Sequence, residues 1–208
     1  LASGVPNAIR VFEELRRHVT DLAATAALMI DPAWVRAAAG ADAAAGPEAK
    51  RLTALLSKID EQNPDIRYVW VMRRSSRGPS TMEFVAVGVP TLAPGQPGGD
   101  GAFGQATATA RPGDLFDASP FPELLLGFEG PTADRNFDLT DQWGVALSGY
   151  APVADEAGRA IAVLGVDVVR AELDERFAAL DRSLAVSLAL SGALSIVASD
   201  KDEAARVT

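Results

Sequence analysis

The stretch Asp141-Gln-Trp-Gly-Val-Ala-Leu-Ser-Gly-Tyr-Ala-Pro-Val-Ala-Asp-Glu-Ala-Gly-Arg-Ala-Ile-Ala-Val-Leu-Gly-Val-Asp167 decides the fold. It reads as two β-strands, Trp143 to Val153 and Arg159 to Val168, joined by turn chemistry from Ala154 to Gly158. A helical pattern follows at once, with Val169, Leu173, Phe177, Leu180 and Leu184 on one face. Asp167 closes the apolar run Ile161 to Val166, where a buried carboxylate requires a partner. Two partners are open to it, the N-terminus of the following helix, which favours Asp, or a bound ligand.

Upstream, Ile9, Phe12, Leu15, Val19, Leu22, Ala26 and Met29 step by three or four residues, which predicts a long amphipathic helix from Pro6 to Ile30, stopped by Asp31-Pro32. At 1.5 Å per residue it is roughly 35 Å long, able to lie on a sheet or against its own copy. After the Ala-rich passage Trp34 to Gly46, Pro47 opens a second helix that runs to about Gln62. Ile66 to Met72 is a strand with apolar residues on both faces, and Thr81 to Val89 is a second strand. The polar connection Arg73-Arg-Ser-Ser-Arg-Gly-Pro-Ser80 makes them an antiparallel hairpin. Val89 to Asp114 holds four Pro and six Gly without periodicity, a loop of the length that is functional or disordered. A short helix is expected at Phe121 to Leu126, with an irregular lead from Phe128 to Leu139.

The fold class is therefore α+β: a long N-terminal helix and a second helix packed on a mostly antiparallel central sheet, with a C-terminal helix. Residues 1–182 form the domain, and 183–208 continue the last helix. Ser183 to Ser199 carries no charge and has Ser at every fourth position. Two readings stay open for it: a helix buried in a soluble dimer, or the start of a membrane span with small residues at its interface. About 25 Å of helix is short against a hydrocarbon core of about 30 Å, and the acidic flank Asp200-Lys-Asp-Glu203 is not the basic cluster of a cytoplasmic boundary.

Composition removes whole classes of function. A net charge of −9 and a pI near 4.6 leave no field of Lys and Arg for phosphate backbones, so nucleic acid is not a partner. The absence of cysteine excludes disulfides, thiolate metal sites and cysteine nucleophiles, and fits a periplasmic location. Without an initiator Met or a signal core, the chain is expected to be a fragment of something longer. No phosphate-binding loop, nucleophile elbow or paired-histidine motif is present, so no catalytic residue and no cofactor is assigned. His18, the single histidine, belongs on a helix surface or dimer face. Asp134, Asn136 and Asp138 alternate as in a calcium loop, but Leu139 and Val145 stand where Gly and Glu are needed. Local turns and a strand cap account for those residues better, and no metal is assigned.

The candidate binding residues are Tyr68, Trp70, Arg73, Arg135, Trp143, Ser148, Tyr150 and Asp167. Tyr and Trp on strands are core formers first, but each also joins an apolar body to a polar tip that suits a small-molecule pocket. Arg73, Arg74 and Arg77 are the densest basic cluster: a solvated hairpin tip, or a contact for an anionic ligand or lipid headgroup. Arg73, beside the apolar strand end, is the best placed of the three for a pocket.

The combination Trp143-Gly144, Ser148 to Val153, Gly158 and Gly165 to Asp167 resembles the last hairpin of single-Cache domains, the PAS-like extracytoplasmic sensors of bacterial signalling proteins. The resemblance covers roughly Pro6 to Asp181. It implies a small molecule held between the sheet and the loops and helix on one face, and no enzymatic activity. In amino-acid-binding members, an Asp at the position Asp167 matches helps bind the ligand amine. Those members also carry Arg-x-Trp-Tyr ahead of the hairpin, where this chain has Arg135-Asn136-Phe137, a departure that counts against an amino acid. Two ligand classes stay open: a small carboxylate, with Arg73 or Arg135 as counter-charge, or a small amine. The implied protein is a membrane-bound histidine kinase or diguanylate cyclase, homodimeric, with this domain on the periplasmic face and flanking spans in the membrane. The alternative is a ligand-free structural or dimerisation module.

Overall fold

The computed structural model describes residues 4–38, 46–63, 66, 68–88, 110–135, 140–141 and 144–169, all within the compact unit Leu1–Arg170. The expected C-terminal helix, the membrane-span reading of 183–199 and the boundary at residue 182 lie outside these residues. The loop residues 89–109 and Trp143 lie outside them too.

Four helices and seven strands are described. In chain order they are α1 (Gly4–Ala27), α2 (Pro32–Ala37), α3 (Pro47–Gln62), β1 (Tyr68–Arg74), β2 (Thr81–Val87), β3 (Leu115–Asp117), α4 (Pro122–Leu126), β4 (Thr132–Ala133), β5 (Thr140–Asp141), β6 (Gly144–Ala154) and β7 (Ala160–Val169). The sheet runs β3-β2-β1-β7-β6-β4, with β5 also on β6, and every pairing is antiparallel. The two hairpins foreseen from the sequence thus meet at the centre, where β1 lies beside β7. This is the expected α+β, PAS-like arrangement.

The β6–β7 turn is held by Asp155, whose carboxylate accepts from the Ala157 and Arg159 amides and from the Arg159 guanidinium. Gly158 takes the left-handed backbone the turn demands, with φ of 76°. Alternation along the central strands then gives two different faces. Val69, Val71, Leu147, Ala151, Leu164, Val166 and Val168 are buried on the face covered by α1 and α3, against Val19, Ala23, Leu52 and Leu56. Gly149 on β6 permits the closest approach, since a Cβ there would collide with the backbone carbonyl of Val19.

Three expectations are corrected. Asp31-Pro32 ends α1 but also starts α2: the Asp31 carboxylate accepts from the Ala33 amide at 2.8 Å, and Pro32 takes the first turn, where a missing N–H costs nothing. β1 runs two residues further than expected, so Arg73 and Arg74 belong to the strand, where they pair with Glu83 and Met82. Strand β4 lies in the stretch Phe128 to Leu139, expected to be irregular, and β3 lies between the expected loop and short helix, where no element is expected. Among the described residues no helix is long and apolar enough to cross a membrane.

Candidate functional site

The face of the sheet turned away from α1 and α3 is built in rows. Tyr68, Asp167 and Ser148 stand side by side across β1, β7 and β6, and Trp70, Gly165 and Tyr150 form the next row. Five of the expected residues, Tyr68, Trp70, Ser148, Tyr150 and Asp167, therefore share one surface. Gly165 leaves a gap in the second row that the Trp70 indole fills; a Cβ there would collide with the ring. From that position the indole Nε1–H donates to Asp167 Oδ2 at 2.8 Å. The Tyr150 ring is 6.0 Å away and the Phe84 ring 6.1 Å away, nearly edge-on. Phe116 and Phe121 extend the aromatic surface, with Leu124 of α4 buried against it.

Asp167 thus sits inside β7, with Val168 and Val169 beyond it in the strand, and the helix expected to follow lies outside the described residues. Its carboxylate faces the site, where it meets the Trp70 indole.

A second carboxylate joins it. β4 pairs Ala133 with Gly149, and the next residue, Asp134, donates its amide to the Ser148 carbonyl at 2.9 Å. That register turns the Asp134 side chain inward, where Oδ1 accepts from the Tyr150 hydroxyl at 2.8 Å and Oδ2 from the Ser148 amide at 2.9 Å. Only 2% of Asp134 is exposed. Burial raises its pKa to about 6, and the nearby Glu123 carboxylate raises it further, against the hydrogen bonds from Tyr150 and Ser148 that favour the charged form. Burial, with Asp134 and Asp167 adding to it, drives the Tyr150 hydroxyl well above its ordinary value, so it stays a neutral donor.

The two arginines expected to meet an anionic ligand are otherwise engaged. Arg73 is three residues from Trp70, an odd separation that turns it to the other face of β1, where Nη2 bonds both Glu83 carboxylate oxygens at 2.9 and 3.0 Å. Arg135 is exposed, and its Nε lies 2.9 Å from the carboxylate of Glu123, the buried acid of α4. Arg74, not singled out for the site, packs its guanidinium 4.4 Å from the Phe128 ring centroid.

Asp134 and Glu123 are functional candidates that the sequence reading missed. Asp134 was read as a turn or capping residue. The signal that corrects this is the β4–β6 register, which two strand residues are too few to announce. Among the described residues no group of three or more His, Cys, Asp or Glu is gathered as a metal ion requires.

Fold and site together define a PAS-like α+β domain with an aromatic, acidic face. The solved structures similar to it include these two. One is the extracellular domain of a protein described as a histidine kinase, soHK1S-Z6, at 11% identity and a TM-score of 0.33, covering 81% of this chain and 65% of that one. The other is the ligand-binding domain of the Campylobacter jejuni chemoreceptor Tlp3 in complex with L-valine, at 12% identity and a TM-score of 0.36, covering 79% and 64%. The chain thus spans just under two thirds of either length. Likenesses this distant bear on neither the site nor its ligand. No protein-family model matches the chain, and no curated protein matches it.

Proposed function

We propose that this is the extracytoplasmic sensing domain of a bacterial membrane signalling protein, that it has no catalytic role, and that its ligand is a small organic amine. The observation that carries the ligand class is the pairing of two inward carboxylates, Asp134 and Asp167, around the Trp70 and Tyr150 rings, while Arg73 and Arg135 are held by Glu83 and Glu123. Carboxylates attract a cation, and aromatic faces add attraction for an ammonium group within about 6 Å of the ring. A carboxylate ligand would meet the opposite field. Among the two classes that the sequence left open, the acidic lining supports the amine.

Calorimetric titration with primary and quaternary alkylamines, and with matched alkyl carboxylates as controls, tests this. Amines are expected to bind and carboxylates not, with Asp167→Asn weakening the amine at least tenfold. Binding by carboxylates, or by no amine, overturns the ligand class.

One observation favours the ligand-free dimerisation module: both carboxylates already accept hydrogen bonds from inside the domain. In that reading Asp167→Asn changes stability alone, and sedimentation gives the same dimer with and without amines.

A further inference from the structure

Asp134 has two sets of contacts that point in different directions. Its carboxylate faces Tyr150 and Ser148 in the site, while its main-chain carbonyl faces α1. There Arg16 Nε donates to the Asp134 carbonyl at 2.8 Å, and Nη2 of the same guanidinium reaches the Ala133 carbonyl at 3.4 Å. Glu13, one turn back on α1, holds Nη1 at 3.1 Å. A planar fork bound to two consecutive carbonyls fixes direction as well as distance, which a single-point ammonium cannot do.

The second contact lies one turn further along α1. The Val19 backbone rests directly on Gly149, the residue of β6 between Ser148 and Tyr150. Thus the strand that carries two site residues on one face touches the helix backbone with the residue between them. No side chain stands there to absorb a displacement.

We infer that Arg16 is a positioning residue that couples the site to α1: when the Asp134 carboxylate is neutralised by a bound cation, its peptide group turns, and Arg16 transfers that turn to the helix. The Gly149–Val19 contact serves as the pivot. This deepens the sensor reading and rests on it for the identity of the occupant, but the link itself can be tested without one. Charged and titratable groups around Asp134 are Arg16 and Glu13 on α1, Glu123 on α4, Arg135 beside it, Tyr150 on β6 and Asp167 on β7. Replacing Asp134 by Asn removes its charge while leaving a side chain that can still bond Tyr150 and the Ser148 amide.

The chain has no cysteine, so a labelled pair is unambiguous. Spin labels on the exposed positions Asp21 (α1) and Ala157 (β6–β7 turn), introduced as cysteines in the full chain, report the place of α1 against the sheet. Asp134→Asn is expected to shift the label separation by on the order of 1–2 Å, the scale of helix shifts in signalling transitions. The shift should vanish in Arg16→Ala and shrink in Arg16→Lys, which keeps the charge without the fork. An equal shift with and without Arg16, or no shift in either background, overturns the inference. Arg16→Lys also serves if Arg16→Ala fails to fold. A shift that depends on Arg16 in a protein that binds no amine would uphold the coupling and sink only the ligand class.

Discussion

The two faces of one sheet differ more than any two elements of the molecule. On the side of α1 and α3, β1, β6 and β7 present Val, Leu, Ala and Gly, packed dry against apolar helix residues, and the charged residue on that side, Arg73 at the end of β1, is paired with Glu83. On the other side the same strands present Tyr68, Trp70, Ser148, Tyr150 and Asp167 beside the apolar Met72 and Val163, and Asp134, the residue after β4, joins them at the edge. The first face gains free energy with every apolar side chain buried. The second buries a carboxylate at a cost large enough to move its pKa by about two units, from 3.8 to about 6. A surface that retains such a cost, next to one that avoids it, is where function is to be sought.

The sharpest way to test the contrast begins on the dry face. Leu164→Ala should lower unfolding free energy by about 2–5 kcal/mol, the range for emptying a fully buried leucine site, and leave amine affinity unchanged. A matching loss of affinity, read by calorimetry alongside urea denaturation, would break the separation of faces.

Next in size is the pH response of the acidic face. A carboxyl whose folded pKa exceeds its unfolded value binds its proton more tightly in the native state. Asp134 therefore adds stability as pH falls from about 6 toward 3.8, and that gain is lost as pH rises back through about 6. Two units correspond to roughly 3 kcal/mol at most. Denaturation of wild type and Asp134→Asn at several pH values should differ by this slope between pH 4 and 6.5. Parallel curves would remove Asp134 from the account.

Trp70→Phe keeps a ring over Gly165 but loses the bond to Asp167. A hydrogen bond to a charged group is worth about 1.5–3 kcal/mol, so a loss near the lower end is expected, with amine affinity altered as well. An unchanged affinity would favour the structural role of that bond. Smallest of all is Arg36→Ala: the Arg36–Glu156 pair is about half exposed or more on both sides, and its loss should cost less than about 1 kcal/mol. A larger effect would mean that α2 holds the β6–β7 turn more firmly than one surface ion pair allows.

The legible parts of this fold were those long enough to show a period. α3 was read at Pro47 to Gln62, as observed, and β6 and β7 to within a residue at each end. β3 and β4, of three and two residues, carry no alternation that could be counted. Asp31-Pro32 misled because a residue pair that stops one helix is equally suited to begin another. The site was legible within a strand and obscure between strands. Tyr68 with Trp70, and Ser148 with Tyr150, share a face because their separations are even. Arg73 should have been set apart by the same parity, since three residues separate it from Trp70. Asp134 was beyond reach because only cross-strand register brings it beneath Tyr150.

The bond from the Trp70 indole to Asp167 also gives the molecule an optical property. Indole emission follows the polarity and hydrogen bonding of its N–H, and this N–H ends on the carboxylate proposed to meet the ligand. Of the chain's three tryptophans, Trp34 and Trp143 can be changed to Phe, leaving a single fluorophore seated at the point of interest. Whatever draws Asp167 away from the ring then alters the colour of the protein's own light.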